Sequence, residues 1–336
     1  MKHTTPIAIL ALSAALTLAS CDVNRHTPEP EDQKVPLSFS ALSQTTPTKA
    51  DGTTPFPHSD FGVWGFATQT GQRDYLLWEE DAMSLVNKIS GNYYPTSEAY
   101  WFSGYDYYFI AIAPYKDGAE KLSDFSVPTS YDALSFPFNM GYSSTNPGVN
   151  LMGAIAKTHV NTAKDQGAQR LDFQHLTSKI DIKVKFEQAS GEVALPLLPQ
   201  VTGMRLENVA SDAAYSISYV QEGEIEISCE IGDNSRSEIP LSPTKPANSE
   251  WWTVTTYILP QSVSRFGLYI DFTIGDEVYE NFPITLTFPA NDHHDYGINQ
   301  WHTWKITLTP SLFVFFEPSV TDWADGGQAD DEIGFN

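Results

Sequence analysis

Few residues of this chain are arranged in the patterns that catalytic or metal sites use. The densest group of metal-ligand types lies in the segment 291–304, which reads NDHHDYGINQWHTW. Its candidate ligands are Asp292, His293, His294, Asp295 and His302. Neighbouring side chains on a strand point to opposite faces, so His293 and His294 could share a metal ion only within a turn. A solvated loop between two strands is the favoured interpretation, and we predict no metal site and no cofactor.

The other patterns that carry chemistry are absent or weak. The segment 322–332, DWADGGQADDE, is rich in carboxylates but lacks the ligand spacing of an EF-hand loop. The sequence contains no GxSxG, HExxH, CxxC, P-loop or dinucleotide-binding fingerprint. A carboxylate pair for glycoside hydrolysis leaves no local signature, and nothing raises it above background. We therefore predict that the chain is not an enzyme and has no catalytic residues. Its tyrosines and tryptophans could stack on sugars, although aromatic residues in sandwich strands more often fill the core.

The chain has only two cysteines, and they occur in very different surroundings. Cys229 shares the apolar face of an alternating segment, which indicates a small buried hydrophobe rather than a nucleophile. Cys21 directly follows the apolar run 7–20, which is short for a membrane span but typical of a secretory signal. The residues Leu18-Ala19-Ser20-Cys21 resemble the lipobox of bacterial lipoproteins. That resemblance implies an acylated Cys21 as the mature N-terminus and an anchor in outer-membrane lipid. The alternative is an ordinary secretory signal that ends near a cysteine.

The charge of the chain limits its partners. The sequence has 19 Lys and Arg against 42 Asp and Glu, a formal net charge of −23. An acidic surface repels phosphate backbones, so nucleic acid is excluded as a partner. Acidic lipid headgroups are repelled as well, which leaves an acyl anchor to hold the protein at a membrane. Aromatic residues make up 13% of the chain, too many for a disordered protein.

Most of the chain alternates between apolar and polar residues, which predicts strands rather than helices. The segments KIDIKVKFE (179–187) and EIEISCEI (224–231) are the clearest examples. The best helical candidate is the short segment 79–90. Many short strands bounded by Pro, Gly and Asn predict antiparallel sandwiches, and the length allows two domains. We predict this division: 1–20 signal peptide, 21–34 lipidated flexible tether, 35–174 N-terminal β-sandwich, and 175–336 C-terminal β-sandwich with a C-terminal strand at 311–323.

The segment VPLSFSA (35–41) predicts a half-buried strand. Val35, Leu37, Phe39 and Ala41 alternate with polar residues. Pro36 favours the edge of a sheet, because proline cannot donate to the ladder. Loss of this strand would leave an unpaired edge and an uncovered apolar stripe, which a strand from a partner could fill.

The order of several segments resembles the fimbrillin-like (Mfa-like) lipoproteins, which build type V pili. The segments that carry the resemblance are TPTKADGTTPF, FGVWGFA, VNLMGAIA, LDFQHLTSKIDIKVKF, VTGMRLENV, YILPQ, INQWHTWKITLTP and PSVTDWADGG. The resemblance implies an all-β fold of two consecutive transthyretin-like antiparallel β-sandwich domains. It also implies an adhesive or structural subunit in a fimbrium at the cell outer membrane, with tip, shaft and anchor roles all open. Its partners would be other pilus subunits and a host or bacterial surface ligand.

The resemblance further implies assembly by donor-strand exchange after proteolysis. Lys49-Ala50 matches the family's cleavage position, so the strand 35–49 would be removed as a propeptide; Lys34 is a competing cleavage point. The donor-strand candidates are Leu312, Phe313, Val314, Phe315 and Phe316. An internal strand buried on both faces is an equally good interpretation of these five residues. The main functional alternative is a monomeric surface lipoprotein that binds glycans through exposed aromatics, followed by a secreted hydrolase.

Overall fold

A computed structural model of the chain describes twelve ranges of residues. They are 34–44, 53–69, 75–79, 82–126, 136–144, 148–187, 199–219, 225–232, 236–263, 265–287, 294–309 and 314–322. These ranges are almost entirely β-structure, with two short 3₁₀ turns at Ala119–Lys121 and Ala163–Asp165. No helix within them is long and apolar enough to cross a membrane.

The strands follow one another at short spacing, as the alternating sequence predicts. Up to residue 175 they are β1 (Val35–Pro36), β2 (Phe39–Gln44), β3 (Thr53–Pro55), β4 (Asp60–Thr68), β5 (Tyr75–Leu76), β6 (Ser84–Ile89), β7 (Asn92–Pro95), β8 (Tyr100–Trp101), β9 (Tyr105–Ala113), β10 (Leu122–Ser126), β11 (Phe136–Ser143), β12 (Met152–Val160) and β13 (Gln169–His175). After it come β14 (Ser178–Phe186), β15 (Gln200–Ala210), β16 (Asp212–Tyr219), β17 (Ile225–Ile231), β18 (Arg236–Leu241), β19 (Trp252–Ile258), β20 (Gln261–Val263), β21 (Arg265–Ile274), β22 (Glu277–Thr287), β23 (His294–Tyr296), β24 (Gln300–Leu308) and β25 (Val314–Asp322).

The largest sheet has nine strands and closes on itself. Its order is β13-β12-β9-β4-β6-β7-β2-β3, with β5 also paired to β4, and β2 pairs back onto β13. The central strands are apolar on both faces because each face meets a core. On β9, Tyr107 and Phe109 belong to the inner aromatic core, whereas Tyr108 and Ile110 belong to a second, outer core. For this reason the segment YDYYFIAIA (105–113) does not alternate between apolar and polar residues.

A second sheet, in the order β10-β11-β16-β17, supplies the other side of the outer core. Phe138 on β11 and Tyr215 and Ile217 on β16 are buried there with the outward residues of β4 and β9. The hairpin β16–β17 lies after residue 175 in the sequence, yet it pairs with β11, which lies before it. Strands from both sides of the predicted division thus share one sheet.

Eight further strands form a sandwich of two four-stranded sheets, β19-β14-β24-β25 and β18-β15-β21-β22, and β1 and β8 pair as a separate two-stranded sheet. Ile180, Ile182 and Val184 of β14 are fully buried between the two four-stranded sheets, and the intervening charged residues lie on the outer face. β20 and β23 pair separately as a two-stranded sheet. The predicted all-β sandwich class is confirmed, because every extended element lies in a sheet that covers an apolar core.

Two local predictions have clear outcomes. The described residues of the segment 79–90 form no helix: Ser84–Ile89 forms β6 and pairs with β4 and β7. Backbone pairing on both sides outweighs the weak helical propensity of a short segment. Cys229 faces the outer core from β17, as predicted, and burial raises the pKa of its thiol to about 12. A thiol that stays protonated at neutral pH is a poor nucleophile.

Candidate functional site

The N-terminal strand β2 belongs to the nine-stranded sheet, while β1 pairs with β8 in a separate two-stranded sheet, and the apolar side chains of this segment pack into or against the inner core. The side chains of Leu37 and Phe39 are 1% and 0% exposed. The Leu37 amide donates to the carbonyl oxygen of Ala99 at 2.8 Å. The ring of Phe39 makes edge-to-face contacts with Phe61 and Phe109, at centroid distances of 6.0 and 5.3 Å. The predicted alternation is therefore confirmed, and its apolar side points into the inner core.

β2 is an interior strand, and the predicted edge position is wrong. On one side it pairs in parallel with β13, from Phe39 opposite Gln169 to Ser43 opposite Phe173. On the other side it pairs antiparallel with β7 and β3. Pro36, the residue that suggested an edge, lies in the two-residue strand β1, which pairs with β8. The missing N–H of proline therefore falls outside β2.

β2 is the strand that closes the sheet between β13 and β7. It is also the first strand of the ring in the sequence, so it is joined to the other strands of the ring only through the segment 45–52. Lys49 and Ala50 belong to that segment and lie outside the described residues. Without β2, five residues of β13 would lose their pairing partner, and the space held by Phe39 would open among aromatic rings. One break in the backbone within 45–52 would therefore remove the covalent link between β2 and the other strands of the nine-stranded sheet.

β25 forms the edge of its own sheet. All nine of its residues are in register with β24, from Val314 opposite Leu308 to Asp322 opposite Gln300. Within the described residues, β24 is the one strand that pairs with it. Val314, Phe315 and Phe316 begin this strand, while Leu312 and Phe313 lie outside the described residues, as does Cys21. Of the five donor-strand candidates, three are thus held by one row of backbone pairs.

The candidate metal ligands of the segment 291–304 do not come together in the part that is described. His302 is fully buried in the second sandwich, with its ring 4.2 Å from that of Tyr296, whereas Asp295 is exposed on β23. His294 begins β23, and Asp292 and His293 lie outside the described residues. Within the described ranges, no group of three or more His, Cys, Asp or Glu side chains could hold a metal ion.

A buried histidine, His175, and a half-buried one, His58, lie near each other beside the end of β13. The Nδ1 atom of His175 lies 2.9 Å from Oδ1 of Asn150, which requires a proton on Nδ1 as the donor. Burial, together with smaller contributions from the nearby His58 and Lys179, lowers the pKa of His175 to about 3. Burial lowers the pKa of His58 as well, opposed by a backbone contact to Asn150 and by the carboxylate of Asp60. Both rings are therefore neutral in the folded protein at neutral pH.

This arrangement predicts a specific acid sensitivity. The unfolded chain protonates His175 near pH 6.5, but the folded chain resists protonation until about pH 3, so the unfolded state binds more protons between these values. Stability should fall as the pH drops through that window, by about 3 kcal/mol between pH 7 and pH 4 from this histidine. Urea unfolding of His175→Gln should lack this component. His159→Gln, at a surface histidine, is the matched control and should follow the wild-type profile; equal pH profiles for His175→Gln and the wild type would contradict the prediction.

The described part of the chain is thus an all-β protein of stacked, mainly antiparallel sandwiches, with an N-terminal strand that closes one sheet and a C-terminal strand at the edge of another. A fimbrillin-like family model matches residues 48–323, and the chain belongs to the fimbrillin-like family. Members are structural or adhesive subunits of cell-surface fimbriae that associate with other fimbrial subunits. No curated protein matches the sequence.

Several solved structures are similar to this chain at low sequence identity. A candidate cell adhesion protein from Bacteroides ovatus has a TM-score of 0.50 and 15% identity, covering 86% of this chain and 98% of its own. A fimbrial protein from Bacteroides vulgatus has a TM-score of 0.46 and 16% identity, over 85% and 99% of the two chains. A fimbrial anchor protein from Porphyromonas gingivalis has a TM-score of 0.36 and 11% identity, over 86% and 98%.

Proposed function

We propose that this chain is a fimbrial subunit that is anchored through acylated Cys21 in the outer membrane and polymerises by donor-strand exchange after cleavage at Lys49-Ala50. Loss of the segment that contains β2 would open a groove in the nine-stranded sheet, and a strand from the C-terminal segment of another copy would fill it. The single observation that carries the proposal is the position of β2, the first strand of the ring in the sequence, which is paired on both sides.

The vacated groove would have the properties of a strand acceptor. Its β13 edge would present backbone groups from Gln169 to Phe173, which now pair with β2. Its floor would expose the rings that Phe39 covers, Phe61 and Phe109. Backbone hydrogen bonds would supply affinity, and pockets for alternate apolar side chains would fix the register. A groove of this kind demands an apolar side chain at every second residue.

The C-terminal segment meets that demand. Leu312, Val314 and Phe316 alternate with Phe313 and Phe315 in the sequence. In its present place β25 is paired on one side, whereas in the groove it would be paired on both. The exchange would replace one row of pairs by two, which favours transfer once β2 has left. A head-to-tail contact between different surfaces does not close on itself, so repeated exchange would yield a filament.

Limited trypsin digestion of the chain from Asp22 to Asn336 tests the proposal. Mass spectrometry locates the first cut, and light scattering follows polymer growth. We expect a dominant cut after Lys49, followed by polymers, and we expect Lys49→Ala to remain monomeric at the same protease dose. Lys34→Ala is the matched control and should polymerise as the wild type does. A cut at Lys49 that leaves the chain monomeric would favour the alternative, a surface lipoprotein that binds glycans.

The tryptophans bear on that alternative. Trp64, Trp101 and Trp304 are fully buried and belong to the cores. These three tryptophans therefore do not form an exposed flat surface on which sugars could stack. Trp78, in contrast, is partly buried and lines a cleft.

A further inference from the structure

A cleft of about 880 Å³ lies on the nine-stranded sheet, beside β4. β4 pairs with β5 through Phe66 and Ala67, and with β6 through Asp60 to Val63. The described residues between β5 and β6, 77–79 and 82–83, border this cleft. Leu77 and Met83, each 8% exposed, give it an apolar base. The volume falls within the range of ordinary small-molecule sites, about 300–1,000 Å³.

Aromatic rings on the cleft are held in place by their own contacts. The indole Nε1 of Trp78 donates to the carbonyl oxygen of Ser97 at 3.0 Å, and the ring packs partly against the inner core. Tyr75 packs edge-on against Phe102, with a centroid distance of 5.2 Å. Rings whose orientation is already fixed cost little conformational entropy when a ligand stacks on them.

The polar groups of the cleft include both donors and acceptors. Glu79 and Glu98 supply carboxylates, and Oε2 of Glu98 is held by the hydroxyl of Tyr100 at 2.5 Å. Thr96 and Ser97 also line the cleft, and both are exposed. Their hydroxyl groups can donate as well as accept.

The charge of the cleft selects among ligands. Its described lining contains no lysine or arginine, and the chain carries a net charge of −23, so anionic ligands are repelled. A simple cation would use the carboxylates but leave the hydroxyl groups of Thr96 and Ser97 and the ring of Trp78 without a role. A neutral sugar uses both, since each hydroxyl donates and accepts and the ring has an apolar face that stacks on Trp78. We infer that this cleft binds a neutral glycan built of hexoses or N-acetylhexosamines.

This site is separate from the assembly mechanism proposed above, and its test uses the uncut, monomeric full chain. The probes are arrayed neutral oligosaccharides of galactose, glucose, mannose and N-acetylhexosamines, each beside its sialylated or sulfated counterpart. We expect binding to a subset of the neutral probes and none to the anionic ones. Titration of the best neutral probe should show that Trp78→Ala weakens binding at least about tenfold, because stacking and an oriented polar contact are lost together.

Two further variants make the result decisive. Glu98→Gln keeps the size of an exposed side chain and removes its charge; we expect binding to weaken about fivefold, because a hydrogen bond to a charged group becomes a neutral one. Trp251→Ala removes a partly buried tryptophan far along the chain, on the second sandwich, and should bind as the wild type does. No binding to any neutral probe, a preference for anionic probes, or equal losses from Trp251→Ala and Trp78→Ala would each overturn the inference.

Discussion

Replacing Phe39 with alanine is expected to lower the free energy of unfolding of the nine-stranded sheet by about 4 kcal/mol. Phe39 is fully buried, and its ring meets Phe61 and Phe109 edge to face. Those rings are themselves held by other aromatic contacts, among them Phe61 to Tyr93 at 5.3 Å. A pocket with such rigid walls cannot collapse around a missing side chain, so the cost includes the cavity as well as the lost transfer free energy.

Chemical denaturation of the full chain measures this effect. Trp64 and Trp101 lie in the two cores of the first half of the molecule and report on its unfolding by fluorescence. Phe102→Ala is the matched control, since Phe102 packs against the same inner core but is only partly buried. We expect Phe102→Ala to cost less than half as much. Equal costs for the two variants would mean that Phe39 contributes no more to the stability of the sheet than a partly buried ring at the border of the core does.

The alternating segments explain how much of this structure the sequence predicts. In β14 and β2 the side of each residue follows from a period of two, because one face of each strand meets a single core. The same period of two predicts that Cys229 lies on the core-facing side of β17, as it does in the structure. The apolar run in β9 follows a different rule, since both of its faces are covered, and a run of that kind predicts burial without saying which strands lie beside it.

The partners of each strand could not be predicted from local pattern. β2 pairs in parallel with β13, and Phe39 and Gln169 are opposite each other although 130 positions separate them. Nothing in the composition of either segment records that pairing, because the backbone groups that make it are the same in every residue. Pro36 was a misleading signal, since the two-residue strand β1 carries it instead of β2. The helical pattern of the segment 79–90 was also a misleading signal, because the backbone pairing of β6 with β4 and β7 outweighs a weak helical propensity.

The cleft beside Trp78 could not be predicted from local sequence pattern either. Its walls come from β5, β6, the residues before β8 and the turn after β9. These segments come together because β5 and β6 pair with different parts of β4 and leave a space between them. That space depends on the pairing of the strands and not on any local sequence motif. The aromatic residues of LLWEE could be noted in the sequence as able to stack on sugars. The carboxylate of Glu98, about twenty positions later, could not be assigned to them before the sheet was known.

A synthetic peptide with the sequence of residues 34–44 is expected to suppress polymer growth of the Lys49-processed chain about tenfold when its free concentration is well above its dissociation constant. The prediction rests on the proposed donor-strand exchange. The peptide contains β2 with Leu37 and Phe39, which already fit the inner core, so it should occupy the vacated groove and block the incoming strand. Light scattering after proteolysis, with and without peptide, measures the growth rate.

The control is the same peptide with Phe39→Asp, which keeps the backbone and places a charge where the groove demands an aromatic ring. Burying an unpaired carboxylate there would cost more than the pairing returns, so this peptide should leave polymer growth unchanged. The uncut chain should bind neither peptide, because β2 already fills the site on both sides. If polymers form at the same rate with the wild-type peptide present, the acceptor is not the groove between β13 and β7. The incoming strand would then have to add to a free edge, and β25, paired on one side only, is such an edge within the described structure.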